Sequence, residues 1–101
     1  MNYQKLILAG NATGDAERKT SKKGDVSYTT FDVGVGDAKD QTTFFPVVVF
    51  GDIGEAVARY VTKGRLVLVE GRIQTNSKGR LSVVADNVRF GPEPTANKVA
   101  E

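Results

Sequence analysis

The 101-residue chain has no cysteine, no histidine and no tryptophan. Without the first two there are no disulfides, thiol chemistry, Cys/His zinc sites, Ser-His-Asp triads or imidazole acid–base catalysis. No apolar run approaches the roughly 20 residues that a membrane helix needs, so no membrane partner is expected. The chain opens Met1-Asn-Tyr-Gln-Lys with no apolar segment and cleavage site, so no signal peptide is read and a cytoplasmic location is expected. Excess charge is also scarce. Fourteen Lys and Arg stand against 12 Asp and Glu, a net +2 with pI about 9.0. That surplus alone names no polyanionic partner, so its placement decides. Residues 1–90 hold 13 basic and 10 acidic side chains. What remains, 40% hydrophobic and 26% charged, is an ordinary composition for one soluble domain.

There is no internal repeat. Most of the chain alternates with period two in short runs separated by Gly, Asn, Asp, Ser and Lys, which reads as strands and turns. Strands are expected over Lys5–Ala9, Val26–Val35, Thr42–Phe50, Leu66–Thr75 and Leu81–Phe90. Residues 11–24 read as polar and irregular. The one helix follows Asp52, with Ile53, Ala56, Val57, Tyr60 and Val61 at helical spacing. Asp52 and Glu55 have capping-box spacing, and Gly64 stands where a left-handed stop would fall. Gly91-Pro-Glu-Pro94 breaks the pattern, so residues 1–90 read as the domain and 91–101 as a flexible tail. Three strands, a helix and two strands match an all-β five-stranded barrel of the OB-fold type, with the helix between strands 3 and 4.

The third strand carries the most chemistry: Thr42-Thr-Phe-Phe-Pro-Val-Val-Val-Phe50. Side chains alternate, so Phe45, Val47 and Val49 face one way and Phe44, Pro46, Val48 and Phe50 the other. A small barrel has one interior. The second set is either an exposed binding stripe or a subunit contact, and the strand alone does not choose between them. Pro46 has no N–H for a ladder, which places it at an edge or bulge. Cations lie in the adjoining loops: Arg18, Lys19, Lys22 and Lys23 in the first connection, Lys39 before the third strand, Lys78 and Arg80 at the last hairpin. Arg72 and Gln74 share a face of the fourth strand. Rings on a sheet with cations around them suit single-stranded nucleic acid, since bases stack on rings and cations track phosphates. Each Lys taken singly reads as a solvated turn residue. Asp37 and Asp40 read as turn formers rather than metal ligands, and no metal or cofactor is implied. Glu70 has no second carboxylate placed beside it, so a carboxylate enzyme is not supported.

The matching stretches are Lys5-Leu-Ile-Leu-Ala-Gly-Asn11, Gly14-Asp-Ala-Glu-Arg18, Gln41 to Gly51, Tyr60-Val-Thr-Lys-Gly64, Val69-Glu-Gly-Arg-Ile-Gln-Thr75 and Val84-Ala-Asp-Asn-Val-Arg-Phe90. In order and spacing, over roughly residues 4–90, the chain resembles the bacterial-type single-stranded DNA-binding proteins. The resemblance implies a non-enzymatic protein that coats single strands without sequence preference in replication, recombination or repair. It assigns base stacking to Phe44 and Phe50, and polar contacts to Arg72 and Gln74. Lys39, Lys78, Arg80, Arg18 and Lys22 are the expected accompanying phosphate contacts. It also implies a homotetramer, a dimer of dimers, in which the first strand (Lys5, Leu6, Ile7, Leu8, Ala9) pairs across a two-fold axis. Two departures stand out. The family's tryptophans are replaced by Lys39 and a short Asn76-Ser-Lys-Gly79 turn, and the acidic, Phe-tipped tail that recruits repair proteins gives way to Thr95-Ala-Asn-Lys-Val-Ala-Glu101. The departures leave a second reading open, an OB-fold replication-restart or scaffold module that works mainly through protein contacts.

Overall fold

The computed structural model describes residues 3–21, 24, 26–36, 41–75 and 78–91. Period-two stretches rich in Val form the strands β1 (Leu6–Ala12), β2 (Glu17–Thr20), β3 (Ser27–Gly36), β4 (Thr42–Phe50), β5 (Leu66–Thr75) and β6 (Leu81–Phe90), and α1 (Ile53–Tyr60) lies between β4 and β5. β1 pairs antiparallel with β5, and β5 with β6. β6 runs parallel to β4 at Val47↔Val83 and Val48↔Val84, and β4 is antiparallel to β3. β3 returns to β1 through Asn11↔Gly34 and Ala12↔Val33. The circuit closes a five-stranded barrel with the OB order. Its interior is Leu8, Phe31, Val33, Val47, Val49, Val67, Val69 and Val83, with Val57 and Val61 from the helix side.

Two elements differ from the sequence expectation. β2 falls inside the stretch read as irregular. All its residues are exposed, so it carries no alternating burial signal. It is held by its ladder to Ser27–Thr30 of β3 rather than by apolar contact. With β2 counted, the helix follows the fourth strand of the chain, which is still the third of the barrel. β1 also runs on to Ala12, because the backbone of Gly10 and Asn11 keeps pairing with Val67 and Leu66 where apolar side chains stop.

The helix forms, but its ends work differently. Asp52 is already helical (φ −67°, ψ −29°) and its side chain makes no capping bond, whereas a capping residue needs an extended conformation. The first turn closes through backbone instead. Gly54 N–H donates to the Gly51 carbonyl and Glu55 N–H to the Asp52 carbonyl, each at 3.0 Å. The helix stops because Val61 turns extended. Gly64, at φ 88°, belongs to the next turn, where Arg65 N–H donates to the Thr62 carbonyl at 2.9 Å. The buried helix face is Gly54 and Val57, while Ile53 and Tyr60 remain 47% and 45% exposed.

Gly54 sets how closely the helix approaches the barrel. A Cβ there would collide with the Arg18 guanidinium and stand 2.8 Å from Thr29 Oγ1 and 3.0 Å from the Val49 carbonyl. Thr29 is fully buried. Its hydroxyl donates to the Gly54 carbonyl at 2.8 Å and accepts from Arg18 Nη1 at 3.1 Å. The same Arg18 nitrogen donates to the Gly51 carbonyl at 3.2 Å. β2, β3 and the helix start are thus tied at one buried hydroxyl, the kind of fully satisfied polar group an interior tolerates.

Candidate nucleic-acid interface

Alternation along β4 sorts its side chains. Val47 and Val49 are buried in the barrel and Phe45 packs against the core. Phe44 (62% exposed) and Phe50 (50%) point outward with Pro46 and Val48. The stripe lies on the surface of this chain, which both readings of it require. Thr42–Pro46 has β3 as its only neighbouring strand among the described residues, and β6 joins at Val47. Pro46 therefore sits where its missing N–H breaks no second ladder.

Register extends this face across the sheet. Outward residues of β3 stand opposite those of β4: Tyr28 by Phe50, Thr30 by Val48, Asp32 by Pro46, Gly34 by Phe44. The rings of Tyr28 and Phe50 are tilted at 50° with centroids 6.0 Å apart, a favourable aromatic arrangement. Gly34 leaves room for the other ring, since a Cβ there would lie 3.4 Å from Phe44 Cε1 and 3.2 Å from Thr42 Cγ2. On the far side Val48 stands by Val84, and Val84 by Arg72. One row therefore crosses four strands, from Thr30 to Arg72.

The expected cations divide. Arg72 lies at the end of that row, with Nη1 3.2 Å from Asp86 Oδ1 and both side chains more than half exposed. Gln74 is exposed two residues further along β5. Lys78 and Arg80 are exposed beyond the last β5–β6 pair, Thr75↔Leu81. The parallel β4–β6 register carries that arm toward the Phe44 end of β4. Arg18 is not beside the stripe: its Nη1 is turned to Thr29 and the helix start. Lys19, its neighbour on β2, pairs across to Tyr28 and has Nζ 3.8 Å from Glu17 Oε1. Lys22 and Lys39 lie outside the described residues, as do Asp37 and Asp40.

Two features escaped the sequence reading. Tyr28 joins the aromatic end of the face. A groove of about 310 Å³ runs beside the stripe, lined by Thr13, Asp15, Glu17, Lys19, Asp32 and Pro46 among others. Both depend on the β2–β3–β4 register, which no local pattern announces. No group of three acidic residues is placed to hold a metal ion among the described residues. None of their helices is long and apolar enough to cross a membrane.

On the opposite flank, the expected contact strand splits by alternation. Leu8 is in the core and Leu6 packs against it, while Lys5, Ile7 and Ala9 are exposed. One edge of β1 is taken by β5. Along the other, β3 pairs only from Asn11 onward among the described residues, so Leu6–Gly10 present an unpaired edge.

Residues 3–90 match the model of the single-strand binding protein family. A single-stranded DNA-binding protein of Clostridium tetani is 36% identical over 99 residues, spanning 85% of this chain and 68% of that protein. One of Thermotoga maritima is 36% identical over 115 residues, spanning 98% and 81%. Among solved structures, a deletion mutant of the single-stranded DNA binding protein from Thermus aquaticus superposes with TM-score 0.78 at 22% identity, over 92% of this chain and 43% of that one. An SSB domain from Synechococcus gives 0.75 at 16% identity, over 87% and 96%. At those identities the two structures speak for the fold.

Proposed function

The chain belongs to the single-strand binding protein family, and from that premise we propose that it binds single-stranded DNA without sequence preference, through the outward face of β3, β4, β6 and β5. The observation that carries the reading is the pair Phe44 and Phe50, two large rings exposed on one strand of a closed barrel whose core does not need them. Every base has a π-face, so stacking on such rings is tolerant of sequence and worth about 1–3 kcal/mol per base. Phosphates run along the Arg72 side, with Lys78 and Arg80 at the arm, and each one neutralised releases counterions. No chemical step is required of any residue, and the protein acts by occupying exposed strands during replication, recombination and repair.

Assembly is part of the same proposal. The β1 edge over Leu6–Gly10, unpaired among the described residues and carrying exposed Ile7 and Ala9, suits pairing with a second copy, and a dimer of such dimers gives a homotetramer. Anisotropy of fluorescein-labelled oligo-dT at low salt tests the binding, and sedimentation with and without the oligonucleotide tests the assembly. Saturable binding that weakens as salt rises is the expected result. Absence of binding at low salt overturns the function, and a monomer at all concentrations overturns the assembly.

A further inference from the structure

β2 turns its neighbouring cations to opposite sides. Lys19 pairs with Tyr28, which pairs in turn with Phe50, so Lys19 shares the outward face. Arg18 pairs with Thr29, whose side chain is fully buried. Alternation therefore turns Arg18 away from the stripe and toward the helix start. A strand laid on Phe44 and Phe50 lies on the other side of the sheet from it.

What Arg18 holds is the chain just past the second ring. Tyr28↔Phe50 is the last pair of the β3–β4 register. Beyond it the Gly51 N–H donates to the Ser27 carbonyl over a long 3.4 Å. Gly51 itself has φ 81° and open space where a Cβ would stand, and it has the backbone freedom of a glycine. Phe50 thus stands at a strand end beside a soft residue, and such ends open most readily. The Gly54 N–H donates to the Gly51 carbonyl at 3.0 Å, and Arg18 Nη1 donates to the same carbonyl at 3.2 Å. That nitrogen also donates to Thr29 Oγ1 at 3.1 Å. Thr29 follows Tyr28, whose ring meets Phe50 with centroids 6.0 Å apart. One guanidinium nitrogen therefore braces the residue after Phe50 and the residue after its ring partner.

We propose that Arg18 is a positioning residue for the Phe50 end of the single-strand platform. This rests on the binding reading above and adds to it a residue that acts without touching the bound strand. Without the brace, Phe50 must be ordered at the moment of binding, and that ordering lowers affinity.

The test is anisotropy of fluorescein-labelled oligo-dT across a salt series, with Arg18→Gln, Arg18→Lys, Phe50→Ala and the double variant Arg18→Gln/Phe50→Ala. Thr29 keeps its 2.8 Å hydrogen bond to the Gly54 carbonyl in all of them, so the barrel stays folded, which circular dichroism checks. Arg18→Gln should lose about two- to tenfold in affinity, the cost of ordering one side chain on binding. Its slope of log affinity against log salt should stay that of the parent. Arg18→Lys keeps the charge but should lose as much, because a lysine ammonium stops short of the Nη1 position and lacks the guanidinium fork. In the Phe50→Ala background, Arg18→Gln should add no further loss. A slope lowered by about 0.7, with full affinity in Arg18→Lys, would make Arg18 a phosphate contact. Parent-like affinity in Arg18→Gln would mean that Phe50 needs no brace, and a full second loss in the double variant would mean that Arg18 acts elsewhere. Each of these results overturns the inference and leaves single-strand binding intact. A parent protein that binds no oligo-dT overturns both.

Discussion

Removing the two outward rings separates binding from folding. Phe44 is 62% exposed, so Phe44→Ala gives up only about a third of the burial worth of a phenylalanine, roughly 0.5–1 kcal/mol of stability. Phe50 is 50% exposed and rests against Tyr28, so Phe50→Ala costs somewhat more, about 1–2 kcal/mol. Each loses about 1–3 kcal/mol of affinity for oligo-dT if one base stacks on each ring, a drop of roughly fivefold to 150-fold. The rings are six residues apart on an extended strand, about 20 Å, so the losses should add in the double variant. Anisotropy with labelled oligo-dT reads affinity. Urea unfolding followed by circular dichroism reads stability, since the chain has no tryptophan to report it. Full affinity in the double variant would refute the platform. A stability loss larger than the affinity loss would place the rings in a packing role instead.

Four further substitutions have outcomes set by the geometry. Gly54→Ala drives a Cβ into Arg18, Thr29 and the Val49 carbonyl and is expected to lose about 2–3 kcal/mol in urea unfolding. Gly51→Ala, with open space but φ 81°, loses about 1 kcal/mol. Equal costs would mean that crowding at Gly54 is relieved elsewhere. Arg72→Gln should lower the slope of log affinity against log salt by about 0.7, the increment for one single-strand phosphate contact. An unchanged slope would show that Arg72 serves Asp86 alone. Ile7→Lys adds a charge beside the open β1 edge and should shift sedimentation toward monomer, with the fold kept because Ile7 is exposed.

The parts of the fold that were legible in the sequence were those written in side chains. Alternation along Thr42–Phe50 separated Val47 and Val49 from Phe44 and Phe50, because burial and period two act on the same residues, and the family resemblance set the Phe44 and Phe50 side as the outward one. β2 was not legible, since Glu17–Thr20 is exposed throughout and held by backbone pairing. The helix stripe was visible, but its buried side hinged on Gly54, which has no side chain to count as apolar. Arg18 was misplaced for a related reason. Arg18 stays exposed, but register turns its Nη1 toward Thr29 and the helix start, which no local pattern announces.

The barrel is stitched unevenly. β3 and β4 pair along nearly their whole lengths, as do β5 and β6, but among the described residues the strand pairs that join the two halves are few: Val47↔Val83 with Val48↔Val84, and Asn11↔Gly34 with Ala12↔Val33, the latter extended by Thr13 N–H donating to the Asp32 carbonyl at 3.0 Å. Partial openings of the native state begin where the fewest bonds must break, which here means the two seams. The row from Thr30 to Arg72 crosses the first seam between Val48 and Val84. A polymer held on both sides of that line bridges the halves, and by mass action it stabilises the closed barrel in proportion to how tightly it is held. Protection of a nucleic-acid strand and protection of the protein's own amides against hydrogen exchange become one equilibrium, read from either molecule.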